Sequence, residues 1–365
     1  MRLLVSIVVV LLLGACGEPA PVRIGFIGGL SDRNADTGLA GLNGVQLAVQ
    51  EINRGGGIGG RMVDLVVRDD AQSREVAARA ARELVEAGVD AVIGPFTSSM
   101  AEVIVPILDQ AGIFQVSPTI TSMTFHGRDD HLFRINRTTR DNARDYARMM
   151  AGRGLRRIAV AYDLRNRNFT ESWLRDFLDA VAAEGGRVAV AVPYESAPDT
   201  DFRIVMKEML EGRPDSLLFI SGAVDVARLA KEARELAPSL SIWASEWAAT
   251  EQLVRLGGRV INGLLIIQNF DREDASPRYR HFAEVYQQTY QRLPGYPSVM
   301  AYEAAMVVFS ALRQQMPGEG LKSAALRGNP HPGLQQEIVF DRNGDTQRQV
   351  VFTEIRDGNY RRVAR

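Results

Sequence analysis

Two short stretches concentrate small hydroxyl groups where a ligand could be held. Residues 92–100 read VIGPFTSSM, an apolar run followed by Gly-Pro and then Thr97, Ser98 and Ser99; residues 116–122 read VSPTITS, with Thr119 and Thr121. In each, a strand pattern gives way to hydroxyls at the edge where a helix or loop begins. Amides at a helix start carry partial positive charge and attract a carboxylate, and the Ser98 and Thr121 hydroxyls would add hydrogen bonds. Ser and Thr are equally favoured as plain helix caps, so either stretch alone reads first as capping. Glu246, in the segment ASEWA between Trp243 and Trp247, adds an acid at another strand end. Together the three tip the balance toward a site that offers donors to a carboxylate and an acid to a cation.

Other chemistry is weaker. The run GGGIGG (55–60) lacks the Lys-Ser/Thr of a phosphate loop and joins a helix end to a strand, so it reads as a turn. His126 and His131 lie in FHGRDDH, whose spacing fits no closed zinc site, and DRNGD (341–345) has its glycine two positions early for a calcium loop and reads as a hairpin turn. There is no Gly-x-Ser-x-Gly elbow, and the single cysteine, Cys16, follows an N-terminal apolar run. The chain therefore reads as a binding protein, with no catalytic residue, no cofactor and no metal expected.

The elements that would position these residues alternate. Strand patterns at 22–29, 62–70, 89–95, 113–118 and 132–136 interleave with helical spacing at 41–54, 73–88 and about 98–111. A second series follows Thr138, with strands at 157–163, 187–194, 216–222, 241–246 and, more weakly, 263–268, and helices at 139–154, 170–186, 201–213 and 223–237. Two helices (276–292 and 298–315) and two strand patterns around Asn343-Gly344 complete the chain. Such alternation predicts an α/β protein of two doubly wound parallel-sheet lobes. Ligands of open parallel sheets sit beyond the carboxyl ends of the strands, where both hydroxyl stretches fall, and a ligand between two lobes would draw them together about a hinge.

Composition agrees with two ordinary cores: 365 residues, 46% hydrophobic and 24% charged, with a net charge of −1. Nothing in that balance suggests nucleic acid. Residues 1–15 read as an export signal, and Leu13-Gly14-Ala15-Cys16 resembles the bacterial lipobox, which implies lipidation of Cys16, a tether over 16–21 and attachment to a membrane at the periplasm or cell surface.

The stretch GVQLAVQEINRGGGIGGRMVDLVVRDDAQS, then VIGPFTSS, AGIFQVSPTITS and YEAAMVV in that order, resembles the leucine/isoleucine/valine-type substrate-binding proteins of bacterial ABC importers, of the type I periplasmic binding fold, over about residues 22–360. The resemblance implies a multi-strand hinge, with 22–137 and about 265–330 in the first lobe and 138–264 and about 331–365 in the second. It also implies an amino acid or similar small carboxylate or amide as ligand, and an ABC permease and ATPase as partners. Carried across residue by residue, the ligand contacts fall on Phe96, Thr97, Ser98, Thr119, Ile120 and Thr121, with Glu246 facing the ammonium. Phe169 stands near a usual Tyr-Gly, Ala223 at an often aromatic position, and Asp36 and Thr37 replace a frequent aromatic lid, departures that widen the side-chain pocket or make it more polar. Gln72 and Thr97 occupy the places of the family's small disulfide. An envelope lipoprotein of the same fold that senses or regulates without transport is the alternative.

Overall fold

The computed structural model describes residues 19–31 and 35–363; the expected signal segment and Cys16 lie outside them. The first sheet has the order β2-β1-β3-β4-β5 and is parallel throughout. Its strands are β1 (Val22–Gly28), β2 (Val63–Asp69), β3 (Ala91–Ile93), β4 (Phe114–Ser117) and β5 (Leu132–Arg134). β3 and β4 are buried along their whole length, as expected of strands covered by helices on both faces. The covering helices are α1 (Ala35–Arg54), α2 (Arg74–Glu86) and α3 (Ser98–Gln110). The glycine run after α1 is the anticipated turn, closed by the Ile58 and Arg61 backbones.

α1 lies unusually close to its neighbours because glycines line one face. A Cβ on Gly44 would stand 2.2 Å from the Ser298 carbonyl oxygen, and one on Gly41 would stand 2.1 Å from the Phe96 ring. The first contact lets α10 (Tyr296–Gln314) lie along α1, although α10 arrives from far down the chain. The second leaves room for Phe96 to sink into the core against Phe26, ring centroids 5.1 Å apart.

The second sheet has the order β12-β11-β10-β9-β8-β6-β7. The parallel part comprises β6 (Arg157–Asp163), β7 (Arg187–Tyr194), β8 (Ser216–Ile220), β9 (Ser241–Ala244) and β10 (Leu265–Gln268); β11 (Val351–Arg356) and β12 (Asn359–Arg362) add antiparallel strands at one edge. Helices α4 (Thr139–Gly152), α5 (Arg167–Ala183), α6 (Phe202–Glu211), α7 (Ala223–Leu236) and α8 (Glu251–Gly257) cover this lobe. α9 (Pro277–Tyr290) and α11 (Leu321–Arg327) return to the first, where Phe282 stacks on Tyr302 at 4.7 Å.

The lobe boundaries read from sequence need two corrections. Residues 265–268 form β10, which pairs with β9 and β11 in the second sheet, not the first. Residues 331–348 pack on the first lobe rather than the second: Phe340 stacks on Phe133 at 4.8 Å, Asp345 pairs with Arg134, and Arg348 is buried against Glu303. Paired buried charges of this kind fix a segment firmly, since separating one partner leaves an uncompensated charge. The turn at Asn343-Gly344 exists, closed by Gly344 N–H to the Asp341 carbonyl, but only a single bridge, Phe340 to Thr346, flanks it. The hairpin of the tail is β11-β12, turning at Asp357-Gly358. The chain thus crosses between lobes three times, after β5, after β10 and before β11.

Candidate functional site

The loops after β3 and β4 are tied together by hydroxyls. Ser117 Oγ donates to the Pro95 carbonyl at 2.7 Å, and Thr119 Oγ1 donates to the Phe96 carbonyl at 2.5 Å. Thr97 is the N-cap residue of α3 but does not cap it; its hydroxyl donates to Gln72 Oε1 at 3.0 Å, a polar link where the resemblance implied a missing disulfide. Ile120 is buried with Ala101, Val105, Phe125 and Leu132. Of the hydroxyl-bearing candidates, that leaves Ser98 and Thr121. Both are 1% exposed, and neither hydroxyl has a hydrogen-bond partner among the described residues. A buried polar group without a partner costs roughly 1–3 kcal/mol, so two on the ligand edge of one sheet call for an explanation.

Glu246 lies in a 3₁₀ turn, Glu246–Ala248, directly after β9. It is 3% exposed; Oε2 accepts from Trp173 Nε1 at 3.0 Å, and Oε1 has no hydrogen-bond partner among the described residues. Burial raises its pKa above the usual carboxylate value, against the lowering pull of its own backbone amide, Asn142, Trp173 and the Arg137 charge. Tyr146 supports this wall from behind, donating to the Ala244 carbonyl at 2.5 Å and accepting from Ile267 N–H at 2.9 Å. Phe169 does not approach as a polar group; it packs edge-on against Trp247, centroids 5.8 Å apart. Ala223 opens α7 and is buried, adding shape without a polar contact.

The lobes meet across this ground. Tyr296, at the start of α10 in the first lobe, has a phenol pKa raised by burial and then by the charges of Asp36 and Glu246, and its hydroxyl interacts with Thr37. Thr250 Oγ1 donates to Asp36 Oδ2 at 2.7 Å on one flank, and on the other Met123 N–H donates to Ser172 Oγ at 3.1 Å.

Deeper in the second lobe lies a further acidic group. Asp163, at the end of β6, accepts from Arg165 and Ser196 N–H at 3.0 and 3.2 Å. Burial, reinforced by the charge of Asp225, pushes its pKa up to about 6. Tyr194 donates to Ser221 Oγ at 2.5 Å beside the same Asp225.

The structure thus leaves Ser98, Thr121 and Glu246 each with a buried polar atom that has no partner among the described residues, engages Thr97 and Thr119 internally, and places Phe96 and Ile120 in the core. Sequence reasoning passed over Asn142, Trp173 and Tyr296. Asn142 stands one residue beyond a Thr138/Asp141 capping box visible in sequence, but Trp173 and Tyr296 look like any core aromatic until the lobes are brought together. Among the described residues no group of three or more His, Cys, Asp or Glu could hold a metal ion, and no helix is long and apolar enough to cross a membrane.

A family model described as periplasmic binding protein matches residues 21–359. Among curated relatives, the Leu/Ile/Val-binding protein BraC3 of Rhizobium johnstonii is 24% identical over 336 residues, covering 90% of each chain. The leucine-, isoleucine-, valine-, threonine-, and alanine-binding protein of Pseudomonas aeruginosa is 23% identical over 334 residues, covering 89% of this chain and 87% of the relative. The solved structure of leucine binding protein LivK from Thermotoga maritima superposes with a TM-score of 0.86 at 23% identity, covering 94% of this chain and 98% of that one. A solute binding protein from R. palustris in complex with benzoate gives 0.83 at 17% identity, covering 94% and 95%. The family match spans nearly all the described residues, its relatives share the two wound sheets, and the chain belongs to the periplasmic binding protein family.

Proposed function

We propose that the protein is an extracytoplasmic solute receptor that closes on an α-amino acid and delivers it to an ABC importer. The carrying observation is that Ser98 and Thr121, after strands of the first sheet, and Glu246, directly after β9 of the second, each bury a polar atom that has no hydrogen-bond partner among the described residues, which supports a ligand held between the lobes. The start of α3 supplies amides for a carboxylate, and Glu246 supplies a negative charge for an ammonium. A simple carboxylate would satisfy only the first half, and Glu246 would stay buried without a cation. Relatives named for leucine, isoleucine and valine binding support the amino acid, while the benzoate-bound neighbour is the specific reason to keep unsubstituted carboxylates in the trial. The packed rings of Phe169 and Trp247 suit an apolar side chain.

A thermal-shift panel of the protein amino acids, benzoate and small aliphatic carboxylates tests this. A true ligand at 100 times its Kd adds about 2.7 kcal/mol of stability. Stabilisation by one or more α-amino acids and not by their decarboxylated or deaminated analogues is the expected outcome. Stabilisation by benzoate alone would refute the zwitterion reading. Attachment through Cys16 belongs to the same proposal, and intact mass of the membrane-extracted protein would reveal the acyl chains.

A further inference from the structure

Two helices of opposite lobes begin side by side at the cleft and exchange caps. α3 starts after Thr97 and α5 after Asn166; in both, the N-cap side chain makes no hydrogen bond to its own helix. A helix start ordinarily has its second or third amide satisfied by the N-cap residue of the same helix. Here Ser99 N–H, the second amide of α3, donates to Asn166 Oδ1 at 3.1 Å, and Asn168 N–H, the second amide of α5, donates to Ser99 Oγ at 3.2 Å. Each lobe thus satisfies a helix end of the other. Asn168 also reaches across by its side chain, donating to Glu102 Oε1 at 2.6 Å and Thr124 Oγ1 at 3.2 Å. Ser99 and Asn166 are buried, so water does not substitute while the lobes are together.

We propose that Asn166 and Ser99 form a latch between the lobes that holds the protein closed by reciprocal helix capping, and that biases it toward closure even without ligand. The exchange exists only in the closed arrangement; on opening, both amides lose their partners to solvent together. Since Asn166 does not cap α5, removing its side chain leaves α5 with the hydrogen bonds it has now. The latch rests on the receptor reading for its purpose but not for its test, which uses no ligand.

The test is amide hydrogen exchange read at single residues in the full chain. Three amides report: Ser99 and Asn168 in the latch, and Met123, which donates to Ser172 of the other lobe outside it. In Asn166→Ala all three are expected to exchange roughly three- to ten-fold faster, the population change for losing about one hydrogen bond. Asn166→Asp, which keeps the acceptor, should return Met123 to wild-type exchange. Ser99→Ala keeps the Ser99 amide but removes the acceptor of Asn168, and should speed Asn168 and Met123; it serves also if Asn166→Ala folds poorly. Acceleration confined to Ser99 would make Asn166 a local cap and overturn the latch. Unchanged exchange at Met123 in both alanine variants would overturn it as well.

Discussion

Replacing Ser98 by alanine separates a ligand contact from a helix cap. Ser98 Oγ has no hydrogen-bond partner among the described residues and the residue is 1% exposed, so the substitution breaks no bond among them. It removes a hydroxyl whose burial is itself unfavourable. The melting temperature of the free protein should therefore stay level or rise slightly. In the complex the same hydroxyl would donate to a carboxylate, and losing a hydrogen bond to a charged group costs about 1.5–3 kcal/mol. That predicts a Kd weaker by roughly 10- to 150-fold. Thr97→Ala is the matched control: it breaks the 3.0 Å bond to Gln72 and should lower stability by about 0.5–1.5 kcal/mol with little effect on Kd. Calorimetric titration with the best-stabilising amino acid, paired with thermal melts of the same preparations, reads both quantities. A Ser98→Ala variant that melts several degrees early but binds like wild type would refute the reasoning and return Ser98 to a purely structural role.

Glu246→Gln should weaken α-amino acids at least ten-fold while leaving simple carboxylates unaffected or improved, because it removes the charge opposite the ammonium and relieves a buried carboxylate; equal loss for both ligand types would show that Glu246 only supports the wall. Asp163, whose pKa is about 6 when folded and near the ordinary 3.8 of a free aspartate when unfolded, binds more protons in the native state between those values, so its contribution to stability falls as pH rises through that window and stays low above it, by about 3 kcal/mol. Asp163→Asn should accordingly raise the melting temperature at pH 7 and flatten its fall between pH 4 and 6, and a profile that keeps its slope would assign the titration elsewhere. Gly41→Ala would set a methyl 2.1 Å from the Phe96 ring and should cost about 1–3 kcal/mol in denaturant unfolding; because Phe96 leads directly into Thr97 and Ser98, ligand affinity should fall with it.

The strands and helices were legible because parallel-sheet strands are apolar along their whole length and helices keep their 3.6-residue stripe: the run RIAVAYD is β6 residue for residue. What failed was pairing. The weak pattern near 265 says strand but not which sheet, and β10 takes its place only because β9 and β11 lie on either side. Likewise QQEIVF and RQVVFTEI look like the two arms of one hairpin about Asn343-Gly344, yet Phe340 on Phe133 and the buried pairs of Asp345 with Arg134 and Arg348 with Glu303 hold the first arm, the turn and the start of the second arm on the other lobe. Pairing between buried charges far apart in sequence leaves no local periodicity to read. The candidate site divides in the same way. Hydroxyls at strand ends are visible in sequence, but which of them bonds inward is decided by neighbours: Thr119 meets the Phe96 carbonyl and Thr97 meets Gln72, while the hydroxyls of Ser98 and Thr121, a position or two away, find no partner among the described residues.

Closure and anion binding are linked by the geometry of the two helix starts. With Ser99 and Asn168 exchanging caps, the positive ends of α3 and α5 are brought within a few ångströms of one another, an arrangement that like partial charges oppose. Asn166 Oδ1 offsets part of that repulsion with a neutral acceptor. A ligand carboxylate at Ser98, one residue from the latch, would offset more, and it would do so only when the lobes are together. An anion bound there therefore has a higher affinity for the closed form by the repulsion it relieves, which is the differential affinity that any ligand-driven closure requires. The cationic end of a zwitterion works through the opposite wall, where a positive charge beside Glu246 would offset the cost of burying its carboxylate. An amino acid thus gains at both walls, whereas a simple carboxylate gains at one; this predicts that deaminated analogues will bind weakly and will also leave the Met123 amide less protected than the parent amino acid does at equal occupancy.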